Sequence, residues 1–169
     1  RMLRQQKPLI AATVICLIGF HSTPAQSEPP AAARPAVASR VTSDVVDLTN
    51  VERTRRGQTP LRANQRLMQA AQIHAEQMAR VGQMAHDLPG AAYPHSEDRL
   101  AAAKYRWTAY GENVAMGQSS AAHALDSWMH SPGHRKNILN PVYTELGVGY
   151  AVDRVGRPYF VQVFARPGP

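Results

Sequence analysis

Between residues 64 and 82 the chain places Leu67, Ala71, His74, Met78 and Val81 at steps of four, three, four and three. That spacing puts all five on one face of a helix. Asn64 precedes the stripe and Gly82 follows it. Asparagine can accept from the free N–H groups of a first turn, and glycine takes the left-handed conformation that ends helices. The same logic predicts a first helix capped by Ser43, with Val45, Leu48 and Val51 on its face and Gly57 placed to end it. Pro60-Leu61 begins the connection to the second helix. After a loop rich in Gly, Pro and His, Ser96 or a neighbour caps a short helix through Arg99 and Leu100. Ser119 or Ser120 opens another, with Ala122, Leu125, Trp128 and Met129 on one side and Pro132-Gly133 as its stop. The period then changes to two. Leu146, Val148, Tyr150 and Val152 alternate, as do Tyr159, Val161 and Val163, with Asp153-Arg154-Val155-Gly156 between them. That is a hairpin pattern. Helices followed by paired strands predict an α+β fold with a mostly antiparallel central sheet and helices packed on it.

The first 40 residues follow a different pattern. Arg1, Arg4 and Lys7 precede an apolar run from Leu9 to Phe20, and Thr23-Pro24-Ala25 supplies small residues after it. Residues 1–25 therefore read as a secretory signal peptide. The run is shorter than the ~20 apolar residues of a spanning helix, and a lipoprotein anchor through Cys16 lacks the small residues that should precede the cysteine. Residues 26–40, rich in Pro and Ala, read as a linker, which leaves 41–169 as one domain. The expected location is the periplasm or the medium, with no membrane span after cleavage. Cleavage removes three basic residues and the sole cysteine, so the net charge falls from +7 to +4 and no disulfide can form. That excess is too small and too scattered to indicate nucleic-acid binding. The domain must be stable by packing alone.

Four stretches concentrate the groups able to do chemistry: Ala85-His86-Asp87, Gly111-Glu112-Asn113-Val114, Ser131 to Leu139 (SPGHRKNIL) and Thr144 to Gly149 (TELGVG). In this order and spacing, over residues ~45–165, they resemble the bacterial, disulfide-free branch of the CAP superfamily. That superfamily comprises the cysteine-rich secretory, antigen 5 and pathogenesis-related proteins. The resemblance implies a three-layer αβα sandwich with a cleft in which two histidines face acidic residues. Carried over, His86 is the first cleft histidine, Glu112 the glutamate of the GEN motif and His134 the second histidine. The second cleft glutamate of plant and animal members falls in a segment shortened here to Ser131-Pro132-Gly133, and Glu145 is the nearest acidic substitute.

These residues admit three readings. His86, Glu112 and His134 can ligate a divalent ion such as Zn2+, whose bonds to N and O run ~2.0–2.2 Å with a position left for water. They can transfer protons, because histidine titrates near neutrality. They can also be a buried hydrogen-bonded network that orders the cleft floor. His74, on an apolar stripe, reads as a packing histidine, and His95 and His123 as solvent-facing. His130 and His134 are four apart, but Pro132-Gly133 breaks the helix that would make them a clip. Asn113, Arg135 and Asn137 are expected to brace backbone, and Trp107 and Trp128 to anchor the core. There is no His-Glu-x-x-His, Gly-x-Ser-x-Gly or phosphate-binding glycine loop. The functional expectation is a secreted ligand-binding module, its partner a lipid or cell-envelope component, rather than an enzyme. The alternatives are a metal-dependent hydrolase of peptide or envelope material, and a purely structural or adhesive domain.

Overall fold

The computed structural model of the protein describes residues 34–169, so the expected signal peptide and the first part of the expected linker lie outside the described residues. In chain order the elements are α1 (Arg34–Thr54), β1 (Arg62–Ala63), α2 (Gln65–Val81), α3 (Ser96–Ala102), β2 (Trp107–Met116), α4 (Ala121–His130), α5 (Pro132–Ile138), β3 (Glu145–Val152) and β4 (Pro158–Pro167). Three of the caps read from the sequence hold, whereas Ser43 lies inside α1 and does not cap it. The Asn64 side chain accepts from the N–H groups of Arg66 and Leu67, and Gly82 ends α2 at φ 71. Ser120 caps α4 by accepting from the His123 N–H.

Two helix boundaries differ from expectation. Helix α1 begins at Arg34, inside the stretch read as linker. Its proline sits in the first turn, where a missing N–H costs no bond, and Ala36, Val37 and Ala38 contain no breaker. Pro132 ends one helix and also starts the next. Ser131 closes α4 and opens α5, with Pro132 in the first helical position.

The four strands run in the order β1-β3-β4-β2, with β1 parallel to β3 and the other pairs antiparallel. Alternation along β4 sorts the core into two layers. Phe160 and Phe164 pack with Val45, Leu125, Trp128 and Leu146 on the face covered by α1 and α4. Tyr159, Val161, Val163 and Ala165 pack with Leu67, Ala71, Ala75 and Met78 of α2 and with Leu100 of α3. The result is the three-layer αβα sandwich. Strand β3 turns Leu146 and Val148 toward α1, and two glycines toward α2. A Cβ on Gly147 would lie 2.1 Å from the Leu67 carbonyl carbon, and one on Gly149 2.3 Å from that of Ala71. The ELGVG pattern is therefore a steric requirement: α2 lies directly on bare strand backbone.

Strand β2 showed no period of two in the sequence because both its faces are covered. Glu112 and Val114 on one side and Asn113 and Ala115 on the other are all buried. Its outer edge is closed by side chains. Tyr143 Oη donates to the Tyr110 carbonyl (3.0 Å), Asn137 Nδ2 to that of Glu112 (3.2 Å) and Trp128 Nε1 to that of Val114 (3.0 Å). An edge strand capped in this way offers no ladder to another chain.

Candidate functional site

Strand β2 presents the Glu112 carboxylate toward the α2–α3 side, with 8 % of the residue exposed. A carboxylate this buried persists only with cationic partners. Arg99 of α3, 1 % exposed, donates from Nη2 to Glu112 Oε2 at 3.0 Å. The same guanidinium donates to the carbonyls of His86 (3.0 Å), Pro94 (3.2 Å) and Tyr93 (3.3 Å), and to Ser96 Oγ (2.9 Å). One arginine thus ties the loop carrying His86 to the strand carrying Glu112.

His86 Nδ1 lies 3.0 Å from Glu112 Oε1. An ionised carboxylate only accepts, so Nδ1 carries the proton and the neutral ring keeps its lone pair on Nε2. The ring is half exposed, which makes Nε2 the open end of an Arg99–Glu112–His86 relay. His74, fully buried on α2, holds the base of the same loop by donating from Nε2 to the Ala85 carbonyl at 2.9 Å. Its Nε2 is also 3.6 Å from Glu112 Oε1. The packing histidine read from the sequence is therefore also the floor of the site.

His134, on α5, is positioned through its backbone. Its carbonyl accepts from Asn113 Nδ2 (3.1 Å), while Asn137 Nδ2 donates to Asn113 Oδ1 (2.9 Å). Asn113 Nδ2 also donates to Gln162 Oε1 (3.0 Å), and Gln162 Nε2 to Thr49 Oγ1 (2.7 Å). This buried amide ladder links α1, β4, β2 and α5. Arg53, itself buried, completes the clamp by donating to the carbonyls of Ile138 (2.7 Å) and Asn140 (3.0 Å) at the end of α5.

The protonation preferences diverge. The hydrogen bond to Glu112 holds the His86 imidazolium above the ordinary histidine range, against the opposing effect of burial. Burial, then the nearby charge of His86, holds His134 below it. Burial alone would raise the Glu112 pKa, but the His86 bond and the charge and bond of Arg99 outweigh it and keep the group ionised. His74 is pushed down by burial and is neutral.

His86, Glu112 and His134 are thus brought to one region, with roles unlike those of three equivalent ligands. Glu112 stands behind His86 with both of its oxygens engaged, and the His86 ring is half exposed. Among the described residues no group of three or more His, Cys, Asp or Glu is arranged to hold a metal ion. His86 Nε2 is the open end of this group, with the Glu112 carboxylate orienting the ring.

Glu145 lies elsewhere. It begins β3, two residues before Gly147, whose partner Val163 also pairs with Glu112. It accepts from Tyr105 Oη (2.6 Å), Asn64 Nδ2 (2.9 Å) and the Arg62 guanidinium, none of which touches Glu112. Trp128 is buried as expected, whereas Trp107 is 39 % exposed and packs edge-on against Tyr110, so it is not a core anchor. Arg99 is the site residue the sequence did not reveal. A lone arginine on a short helix reads as a solvated face, and no local pattern marks its burial.

A sheet between two helical layers, with paired histidines from a loop and from the helix after an SPGH turn, defines a CAP-type domain. The family model for the cysteine-rich secretory protein (CAP) family matches residues 46–164, and the chain belongs to that family. It is 36 % identical over 116 residues to the uncharacterized protein YkwD of Bacillus subtilis (strain 168), covering 69 % of this chain and 44 % of that protein. It is 34 % identical over 122 residues to the uncharacterized membrane protein YlbC of the same strain, covering 72 % and 33 %. Among solved structures, an extracellular SCP-domain protein from Bacillus anthracis str. Ames superposes with a TM-score of 0.74 at 30 % identity, over 83 % of this chain and 45 % of that one. The chain spans less than half the length of the curated relatives it matches. No helix among the described residues is long and apolar enough to cross a membrane.

Proposed function

We propose that this chain is a secreted ligand-binding module whose cleft presents His86 Nε2 and His134 as a two-imidazole anchor, able to hold a divalent ion such as Zn2+. The expected partner is an extracellular lipid or cell-envelope component. The supporting observation is the 3.0 Å contact of His86 Nδ1 with a carboxylate that Arg99 keeps ionised. A carboxylate behind an imidazole fixes its tautomer and makes its outer nitrogen a better donor. A bound ion would supply a Lewis-acidic centre for an anionic or carbonyl group of the ligand. Glu112 would orient His86, and the Asn113–Asn137 ladder would set the position of His134. The extracellular reading draws support from the Bacillus anthracis neighbour, which is described as extracellular.

Calorimetry of the full chain with zinc tests the proposal. Stoichiometric binding that falls at least tenfold in both His86→Ala and His134→Ala, and less in Glu112→Gln, is the expected result. Zinc binding unchanged in both histidine variants sinks it.

One observation favours hydrolysis as a second reading. Two neighbouring imidazoles with protonation preferences displaced in opposite directions suit an acid and a base. Turnover of peptide or envelope substrates abolished by His134→Ala would establish that reading over simple binding.

A further inference from the structure

The relocation of Glu145 exposes a second polar concavity. A groove of about 620 Å3 opens at the end of the sheet where α2 begins, lined by Asn64, Arg66, Lys104, Tyr105, Arg106 and Glu145 among others. Glu145 is the only carboxylate side chain lining it. Both Glu145 oxygens are engaged, by Arg62 on one and by Asn64 and Tyr105 on the other. Its charge is thereby spent inside the wall, and the other ionised side chains of the lining are cations, of which Arg106 also donates from Nη1 to the main-chain oxygen of Pro169 at 3.1 Å.

Two of those cations are tied together. Arg66 Nη1 donates to the Lys104 carbonyl at 2.9 Å, which joins the first turn of α2 to the segment after α3. Lys104 itself has φ 55, the sole non-glycine residue with positive φ among the described residues. It occupies the position that closes α3, where the Tyr105 N–H reaches the Leu100 carbonyl (2.9 Å) and the Lys104 N–H that of Ala101 (2.9 Å). Glycine is the usual occupant of such a closure, because a side chain there is strained. The chain keeps a lysine at this strained position, and that lysine lines the groove. Strain retained at a site is a pointer to use. The N–H groups of the first turn of α2 do not supply the site, since Asn64 Oδ1 already occupies those of Arg66 and Leu67.

We propose that this groove binds an oxyanion, a phosphate or carboxylate group, through Arg66, Lys104 and Arg106. Arg66 and Arg106, each with its Nη1 held by a main-chain oxygen, supply guanidinium charge with further N–H donors, and Lys104 supplies a compact charge. The site lies across β4 from the Glu112 carboxylate and shares no residue with the histidine cleft.

The test is an amide NMR titration of the full chain at low salt with inorganic phosphate, tripolyphosphate and citrate. Saturable shifts confined to residues 64–66 and 104–106 are expected, with tripolyphosphate ahead of phosphate if several anionic groups are read together. A citrate response equal to that of tripolyphosphate would assign the site to carboxylates as well, and a response to phosphorus oxyanions alone would assign it to phosphate groups. The double variant Arg66→Gln/Lys104→Gln should bind at least tenfold more weakly, while His86→Ala and His134→Ala should bind unchanged. That last comparison separates failure of this site from failure of the histidine cleft. Lys104→Gly is the sharper probe, because relief of strain should raise Tm while loss of charge weakens binding. A raised Tm with unchanged affinity would overturn the proposal. So would unsaturable shifts that include Arg55, Arg135 and Lys136.

Discussion

Glu112 and Glu145 make an instructive pair. Both are buried on the sheet, on neighbouring strands of β4, and each is matched with one arginine. Their partners differ in what they leave exposed. Around Glu112 the arginine is buried and a half-exposed imidazole completes the set, so the paired charge ends in a ring that can still exchange protons or ligate. Around Glu145 the arginine is largely exposed and the other partners are a phenol and an amide, neither of which titrates near neutrality. The same carboxylate in the same sheet thus leads to a titratable, half-exposed ring in one place and is part of a wall in the other. The burial of the acid does not distinguish them; the chemistry of its last partner does.

The largest expected effect tests whether the two arginines are as unequal as their exposure. Arg99→Met leaves Glu112 buried without its permanent cation, and removing one partner of a buried pair costs about 3–5 kcal/mol. Urea unfolding at pH 7 should show that loss as a lower midpoint. Arg62→Met should cost far less, because water can reach the Glu145 side once the exposed guanidinium is gone. Equal losses in the two variants would break the comparison. Next in size is Tyr105→Phe, which removes a 2.6 Å donor from a buried carboxylate. Hydrogen bonds to charged groups contribute about 1.5–3 kcal/mol. The same unfolding experiment should therefore place this variant between the two arginine variants, with no change in zinc binding.

The legibility of the two regions differs for a physical reason. Asn64, Gly82, Ser120 and the hairpin turn were readable because caps and turns use local chemistry, and α2 because one of its faces is apolar and the other wet. His86, Glu112 and His134 were readable as a group only through the resemblance of whole motifs. Strand β2 was not, since a strand covered on both faces and carrying Glu112 and Asn113 inward has no alternation to detect. The start of α1 was missed because alanine and a first-turn proline suit a linker as well as a helix. Arg99 and the true place of Glu145 depend on contacts 13 and 40 or more residues apart in the chain. Periodicity carries no information at those separations.

The smallest effect is the most discriminating. Proton NMR of the ring C–H groups should show His86 titrating above the ordinary 6.5 and His134 below it. Glu112→Gln removes the partner that raises His86 and should bring its midpoint down, whereas Glu145→Gln should leave both histidines where they are. The signs then carry into stability. A raised His86 contributes stability that is present below pH 6.5 and lost as pH rises through its folded midpoint. A depressed His134 contributes stability that is present above pH 6.5 and lost as pH falls toward its folded midpoint. In the native chain these two slopes lie on opposite sides of pH 6.5. Glu112→Gln should erase the decline on the alkaline side and keep the one on the acid side, while Glu145→Gln should keep both. If Glu145→Gln moved the His86 midpoint as far as Glu112→Gln does, the two carboxylates would belong to one electrostatic unit, and the separation of cleft from wall would be lost.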